Sequence, residues 1–301
     1  MARSSICAVV VLALAACRGG APSSPEAGPP DFLVWTDVDD HPVTRWLDAS
    51  GHERGRAPGL YLAVEGTLWR LEREVSTQAT TGCRTDDAGR PVSGHSSLTT
   101  IALASVDGRT RLVVTRPEPR AADEYDTYDH GVIIRASLGP LLFGEATVDQ
   151  FACGAHGSGT VSAFTFDVTT RALLPVAPHR PPPTLAPRIQ AAFEAEAIEP
   201  LEVGAAPWLG ESLPRWTDGR LGARHLAYVD TCYACSNGEW SSYTTGLWVE
   251  DVGIPDPWAI AAVVPPAIAA IISSPDPVAT GVSWGPPDAG WTQTFASRPA
   301  R

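Results

Sequence analysis

The chain has 301 residues, ten tryptophans, six cysteines and a formal net charge of −12 at pH 7, and all 22 of its basic side chains other than histidine are arginines. An acidic chain without basic clusters excludes the charge pattern of a nucleic-acid binder or of a protein held to anionic lipid by electrostatics. The missing lysine excludes a Walker A loop, a Ser-x-x-Lys pair and Schiff-base chemistry; neither His-Glu-x-x-His nor Gly-x-Ser-x-Gly occurs, and no cofactor motif is seen.

At the N-terminus, Arg3 supplies a short basic region, and Ile6 to Leu14 is an apolar run too short to span a bilayer. It closes on Leu14-Ala15-Ala16-Cys17, which resembles the lipobox of bacterial lipoprotein precursors. The resemblance implies cleavage after residue 16 and diacylglycerol on the Cys17 thiol, two acyl chains being enough for stable anchoring. Removing residues 1–16 removes one positive charge, Arg3, so the net charge goes from −12 to −13. Residues 17–30 are rich in proline, glycine and serine and read as an extended tether. Arg18 stands where an aspartate would signal retention in the inner membrane, so the expected location is the outer membrane, facing the periplasm.

Residues 31–301 are the globular part, with hydrophobicity of period two along much of their length. Leu60, Leu62 and Val64 lead into Glu65-Gly66, and Thr67, Trp69 and Leu71 lead away, which predicts a hairpin. Ile101 and Leu103 precede Asp107-Gly108, a type I′ signal, and Leu112 to Val114 return. Further strands are predicted over Ile133 to Ala136 and Leu141 to Phe151, with Phe164, Phe166 and Val168 sharing one face of the next. Thr184 is a candidate cap for a helix carrying Leu185, Ile189, Phe193 and Ala197, and Pro266 can open a short helix through Ile272. The expectation is α+β with mainly antiparallel sheet, all-β being the alternative; no repeat of about 40–45 residues supports a propeller. The proline-rich stretch 178–187 is a candidate divider between two halves, or a surface loop.

Four cysteines remain behind Cys17: Cys83, Cys153, Cys232 and Cys235. An even set in an exported chain points to disulfides, and three pairings are open. The favoured one joins Cys232 to Cys235 locally and Cys83 to Cys153 at long range. Cys232-Tyr-Ala-Cys235 could alternatively be a redox pair, but its flanks read as strand and turn instead of a helix N-terminus. Asp37, Asp39, Asp40 and His41 form one acidic cluster. Asp123, Glu124, Asp126, Asp129 and His130 form another, whose carboxylates are a weak calcium candidate without EF-hand spacing.

Gly154-Ala155-His156-Gly157, between a strand and Phe164-Thr165-Phe166-Asp167-Val168-Thr169-Thr170-Arg171, resembles the extracytoplasmic domain of RsiV-like anti-sigma factors and PdaC-like deacetylases. In that family a strand enters Gly-Gly-Ala-His-Gly, a second strand ends in aromatic-Asp-aliphatic and a Thr-Gly-Lys turn, and a helix follows. Here Cys153 replaces the first glycine, Arg171-Ala172 replaces Gly-Lys, and prolines precede the helix. A weaker likeness runs through Tyr243 to Trp248 and Pro257-Trp258-Ala259. Without the family, the glycines around His156 would serve only a tight turn.

The resemblance implies an envelope binding or sensing module with peptidoglycan or a lysozyme as partner, and no catalytic domain of its own. The alternatives are a divergent envelope hydrolase built on Asp123 to His130 and a purely structural lipoprotein.

Overall fold

The computed structural model describes residues 29–38, 41–80, 85, 87–90, 92–117, 127–151, 158–174, 180–198, 206–232, 242–251, 256–273 and 279–295. Cys17, Cys83, Asp123, Glu124, Asp126, Cys153 to Gly157 and Cys235 lie outside these residues.

Among the described residues, the first eleven strands follow one another without a helix. They are β1 (Asp31–Val38), β2 (His41–Leu47), β3 (Glu53–Pro58), β4 (Tyr61–Val64), β5 (Thr67–Thr80) and β6 (Gly94–Ser105). Then come β7 (Arg111–Thr115), β8 (Thr127–Leu138), β9 (Leu141–Phe151), β10 (Ser158–Asp167) and β11 (Ala172–Leu173). After α1 (Ala186–Ala195), a separate antiparallel sheet is formed by β12 (Trp208–Thr217), β13 (Arg220–Cys232) and β14 (Ser242–Asp251). A 3-10 helix (Asp256–Val263), α2 (Pro266–Ile272), β15 (Ala279–Gly285) and α3 (Ala289–Phe295) complete the chain. The architecture is mainly β with few helices, and nearly all strand pairs are antiparallel.

The large sheet runs β11-β10-β9-β8-β15-β1-β2-β3, with β4 to β7 joined to it through β6. It forks at β8. Thr127 to His130 pair in parallel with His95 to Leu98 of β6, whereas Ala136 to Leu138 pair in parallel with Thr280 to Val282 of β15. Between those stretches the register against β9 shifts, leaving Arg135 as an extra residue. A one-residue bulge exchanges the faces of the strand. Val132 and Ile134 accordingly pack with Trp35, Leu62 and Ile101, whereas Ala136 and Leu138 pack on the opposite side with Phe32, Val34 and Phe143. The second cluster also takes Leu213, Trp216 and Ala223 of the small sheet and Ile268 and Ile272 of α2, so one core joins the two sheets.

Local chemistry explains the turns. Glu65 and Gly66 both have positive φ (50° and 75°), as a type I′ turn requires. The Asp107-Gly108 hairpin also forms, but not as a two-residue I′ turn. Its loop spans 106–110, only Gly108 of the pair has positive φ (72°), and Asp107 accepts from Ser105 Oγ and the Arg109 N–H. Phe164 packs against the cluster that buries Phe166 and Val168, as the alternation predicts.

α1 begins after Leu185, not Thr184, and its cap position makes no side-chain hydrogen bond. Leu185, Ile189 and Phe193 are buried against Leu209, Ala227, Val229 and Val249 of the small sheet. Burial of each large side chain stabilises by roughly 1.5–3 kcal/mol, enough to hold a helix whose start is poorly capped. Ala197 falls beyond the helix, with φ of 54°. α2 starts at Pro266 and ends at Ile272, as predicted from the proline pair. No helix among the described residues is long and apolar enough to cross a membrane.

Candidate functional site

A concavity of about 890 Å³ opens at the end of the small sheet beside α1. The β12–β13 turn forms its rim. Asp218 and Gly219 both take positive φ (51° and 73°), giving the tight hairpin that an Asp-Gly pair between strands favours. The turn is tied down by the Gly219 N–H, which donates to Ser273 Oγ at the end of α2, and that hydroxyl donates on to the Ala269 carbonyl.

Guanidinium groups and carboxylates alternate around the walls. Arg188 of α1 lies 3.6 Å from Asp251, and Arg215 lies 3.7 Å from Glu250. Behind the wall, Arg224 lies 3.5 Å from Glu250 and stands over the Trp248 ring at 5.3 Å. Burial pushes the Arg224 guanidinium below its usual range; Glu250 opposes the shift, and the positive charge of Arg215 adds to it. Arg220 and Asp218, both exposed on the rim, make no ion pair among the described residues. Among the described residues, the cleft therefore presents Arg220 and Asp218 without ion-pair partners next to charges that already satisfy each other.

Asp251 is also supported from the interior. Ser212 Oγ lies 2.6 Å from His225 Nδ1, and His225 Nε2 lies 3.7 Å from Asp251 Oδ2. Serine, histidine and aspartate are the groups of a nucleophile–base–acid relay. Here only Asp251 lines the cleft; Ser212 and His225 do not. The 3.7 Å separation is longer than a hydrogen bond, and charge acts across it only when the imidazole is protonated. The arrangement orients a wall carboxylate; it does not present a nucleophile to the cleft.

The residues singled out from sequence are placed elsewhere. Asp129 accepts a hydrogen bond from the Ser97 N–H at 3.0 Å, and buried His130 holds Nδ1 3.2 Å from the Thr99 carbonyl, so both are bonded to the β6 backbone. Among the described residues there is no group of three or more potential metal ligands. Cys232 ends β13 opposite Ser242.

Several described strand termini lie side by side at one end of the large sheet. Thr80 pairs with Gly94, and the next residue, His95, pairs with Thr127, which pairs with Phe151. The segments carrying Cys83, the 123–126 carboxylates and Cys153 to Gly157 thus start or end at neighbouring strand termini. The cleft residues Asp218, Arg220, Glu250 and Asp251 were missed by sequence reading. The Asp218-Gly219 turn was legible, but the meeting of three strands and a helix around it was not.

No family model matches the chain, and none of the curated proteins compared matches it. Among solved structures it is similar to a DUF3298 family protein from Pseudomonas aeruginosa PAO1, at 12% identity and a TM-score of 0.32, over 65% of this chain and 95% of that one. A TM-score of 0.32 does not equate two folds.

Proposed function

We propose that the chain is a lipid-anchored envelope protein whose globular part binds peptidoglycan fragments in the cleft beside the β12–β13 turn. The carrying observation is the pair on the rim, Arg220 and Asp218, which have no ion-pair partners among the described residues. Peptidoglycan stem peptides carry carboxylates and amines within a few bonds of each other. A guanidinium recognises a carboxylate bidentately, and a nearby aspartate takes an ammonium. The paired charges behind them keep the cleft from being simply basic or acidic, which favours a ligand bearing both signs.

The Leu14 to Cys17 lipobox-like segment supports an envelope location, and the Gly154 to Gly157 likeness to RsiV/PdaC-like domains supports a binding role over a catalytic one. The test is titration calorimetry of residues 18–301 with soluble muropeptides at 0.15 M salt, with chito-oligosaccharides lacking the stem peptide as control. Saturable binding of muropeptides alone supports the reading. Equal binding of both ligands, or of neither, removes it.

A basic lysozyme is the second reading, favoured by the net charge of −13 after residue 16. Charge complementarity speeds encounter and makes binding salt-sensitive. Lysozyme binding that survives 0.15 M salt, at which screening acts beyond roughly 8 Å, distinguishes a specific complex from attraction to any acidic surface.

A further inference from the structure

The 3-10 helix Asp256–Val263 runs into α2 through a stretch without charge. From Pro257 to Ile272 no side chain is ionisable, and the Trp258 indole is the one polar group. Residues three apart fall in line along a 3-10 helix. Trp258 and Ala261 make the buried row, with Trp258 set edge-on against Phe143 at 5.5 Å between ring centroids. Ala259 with Ala262, and Ile260 with Val263, make two further rows, and all four residues are exposed. A surface helix ordinarily turns polar side chains to water, whereas one apolar all round belongs to a core or a membrane. Here two of the three rows are apolar and face outward.

This surface lies beside the point where the chain enters the fold. Asp31, the first residue of β1, pairs with Gly285, and Phe32 pairs with Trp284, their rings 6.4 Å apart. A Cβ at Gly139, in the β8–β9 turn, would stand 2.9 Å from the Trp284 ring and 3.4 Å from Ile260 Cδ1. The same turn residue thus adjoins both the indole beside Phe32 and an outward row of the helix. Cys17 precedes Asp31 by fourteen positions in sequence, so the segment that bears the lipid joins the fold next to this surface.

We propose that the outward rows of the 3-10 helix sit in the boundary between headgroups and acyl chains of the leaflet that holds the Cys17 lipid. This rests on the lipid anchor proposed above. Chemistry selects lipid as the occupant. A chain of net charge −13 after residue 16 is repelled by anionic headgroups, and a surface without carboxylates is where it can approach them. Alanine, isoleucine and valine lack the rings and guanidinium groups that carry protein interfaces, but they partition into an apolar phase without leaving a polar group unbonded. Two short rows orient a chain that its lipid already holds; they do not anchor it alone.

The test places the photo-crosslinker p-benzoylphenylalanine at Val263, and separately at Ala262, in the full chain. The control position is Val113, 44% exposed on β7, a strand packed on the other core cluster. Each protein is first shown to unfold at the wild-type urea concentration, and Ala262 carries the test where the Val263 variant does not fold. Cells are irradiated, and the purified protein is read by mass spectrometry. Phospholipid adducts should form at least tenfold more often at 262 or 263 than at 113. Equal adduct yields at all positions, or none, in protein whose Cys17 bears its acyl groups, overturn the proposal and leave the anchor standing. Adducts at 262 and 263 to another protein instead of phospholipid overturn it as well. A Cys17 without acyl groups overturns the anchor, and this proposal with it.

Discussion

The indole Nε1 of Trp35 donates a 2.8 Å hydrogen bond to Ser137 Oγ across an intervening strand. Trp35 lies on β1, Ser137 lies on β8, and Gly281 of β15 is the register partner of both. A Cβ at Gly281 would collide with the Ser137 hydroxyl and the Trp35 indole, so the bond exists because residue 281 has no side chain. Trp35 is fully buried and Ser137 nearly so, and the bond satisfies a donor that has no route to water.

Gly281→Ala should therefore destabilise the chain by about 1–3 kcal/mol through overpacking. Ser137→Ala should cost about 1–3 kcal/mol by leaving the indole N–H buried and unbonded. Urea denaturation of both variants checks this. The two effects should not add, because either change removes the same bond. Additive losses would separate glycine packing from the hydrogen bond.

Acid sensitivity is expected at Glu53 on β3. Burial raises its pKa, but hydrogen bonds from Arg56 and Arg45, at 2.7 and 2.8 Å, outweigh it, and the carboxyl lies below its ordinary value near 4.5. A depressed carboxyl pKa contributes stability above the unfolded value, and that contribution is lost as pH falls through the folded value. Glu53→Gln should cost about 0.5–1 kcal/mol at pH 7. The difference from wild type should shrink below pH 4.5 and vanish once the wild-type carboxylate is protonated. A cost independent of pH would show that the loss is one of packing.

How much was readable from sequence depended on whether one face of an element met water. The hairpin Tyr61–Val64 to Thr67, the strand Leu141–Phe151 and the helix Pro266–Ile272 carry their signals in turn residues, alternation and a proline start. β1 does not. Phe32, Leu33, Val34 and Trp35 are all buried, because β1 is central and covered on both sides, and a continuous apolar run has no period to read. The fork at β8 was equally hidden, since a bulge at Arg135 is set by two different partner strands. The cleft depends on Arg188 of α1 approaching Asp251 of β14, a contact across 63 positions that no local pattern encodes.

The favoured long-range disulfide joins two cysteines, Cys83 and Cys153, that lie outside the described residues. Thr80 and Phe151 terminate β5 and β9, three strand positions apart through β6 and β8. That is roughly 14–15 Å at strand spacing. Cys83 lies three residues beyond Thr80 in sequence, and Cys153 two beyond Phe151. Non-reducing peptide mapping should find Cys83 joined to Cys153. Replacing both by serine should cost about 2–4 kcal/mol. Finding Cys83 bonded to Cys232 or Cys235 would overturn the pairing.

The anchor is tested by Cys17→Ser, motivated by Leu14-Ala15-Ala16-Cys17. Labelling with a radioactive fatty acid should disappear, and the protein should accumulate as unprocessed precursor or leave the membrane fraction. Retained label would assign lipidation to another residue.

The cleft account turns on Arg220. It is exposed and makes no ion pair among the described residues, so its removal should leave the fold intact. Loss of a charge-assisted hydrogen bond to a ligand carboxylate costs about 1.5–3 kcal/mol. The most direct measurement is therefore muropeptide affinity by titration calorimetry for wild type and Arg220→Ala, each first shown to unfold at the same urea concentration. The account predicts affinity at least tenfold weaker in Arg220→Ala, with a matching loss when the stem-peptide carboxylates are amidated. Muropeptide binding by Arg220→Ala equal to wild type would place the ligand outside the cleft and contradict it.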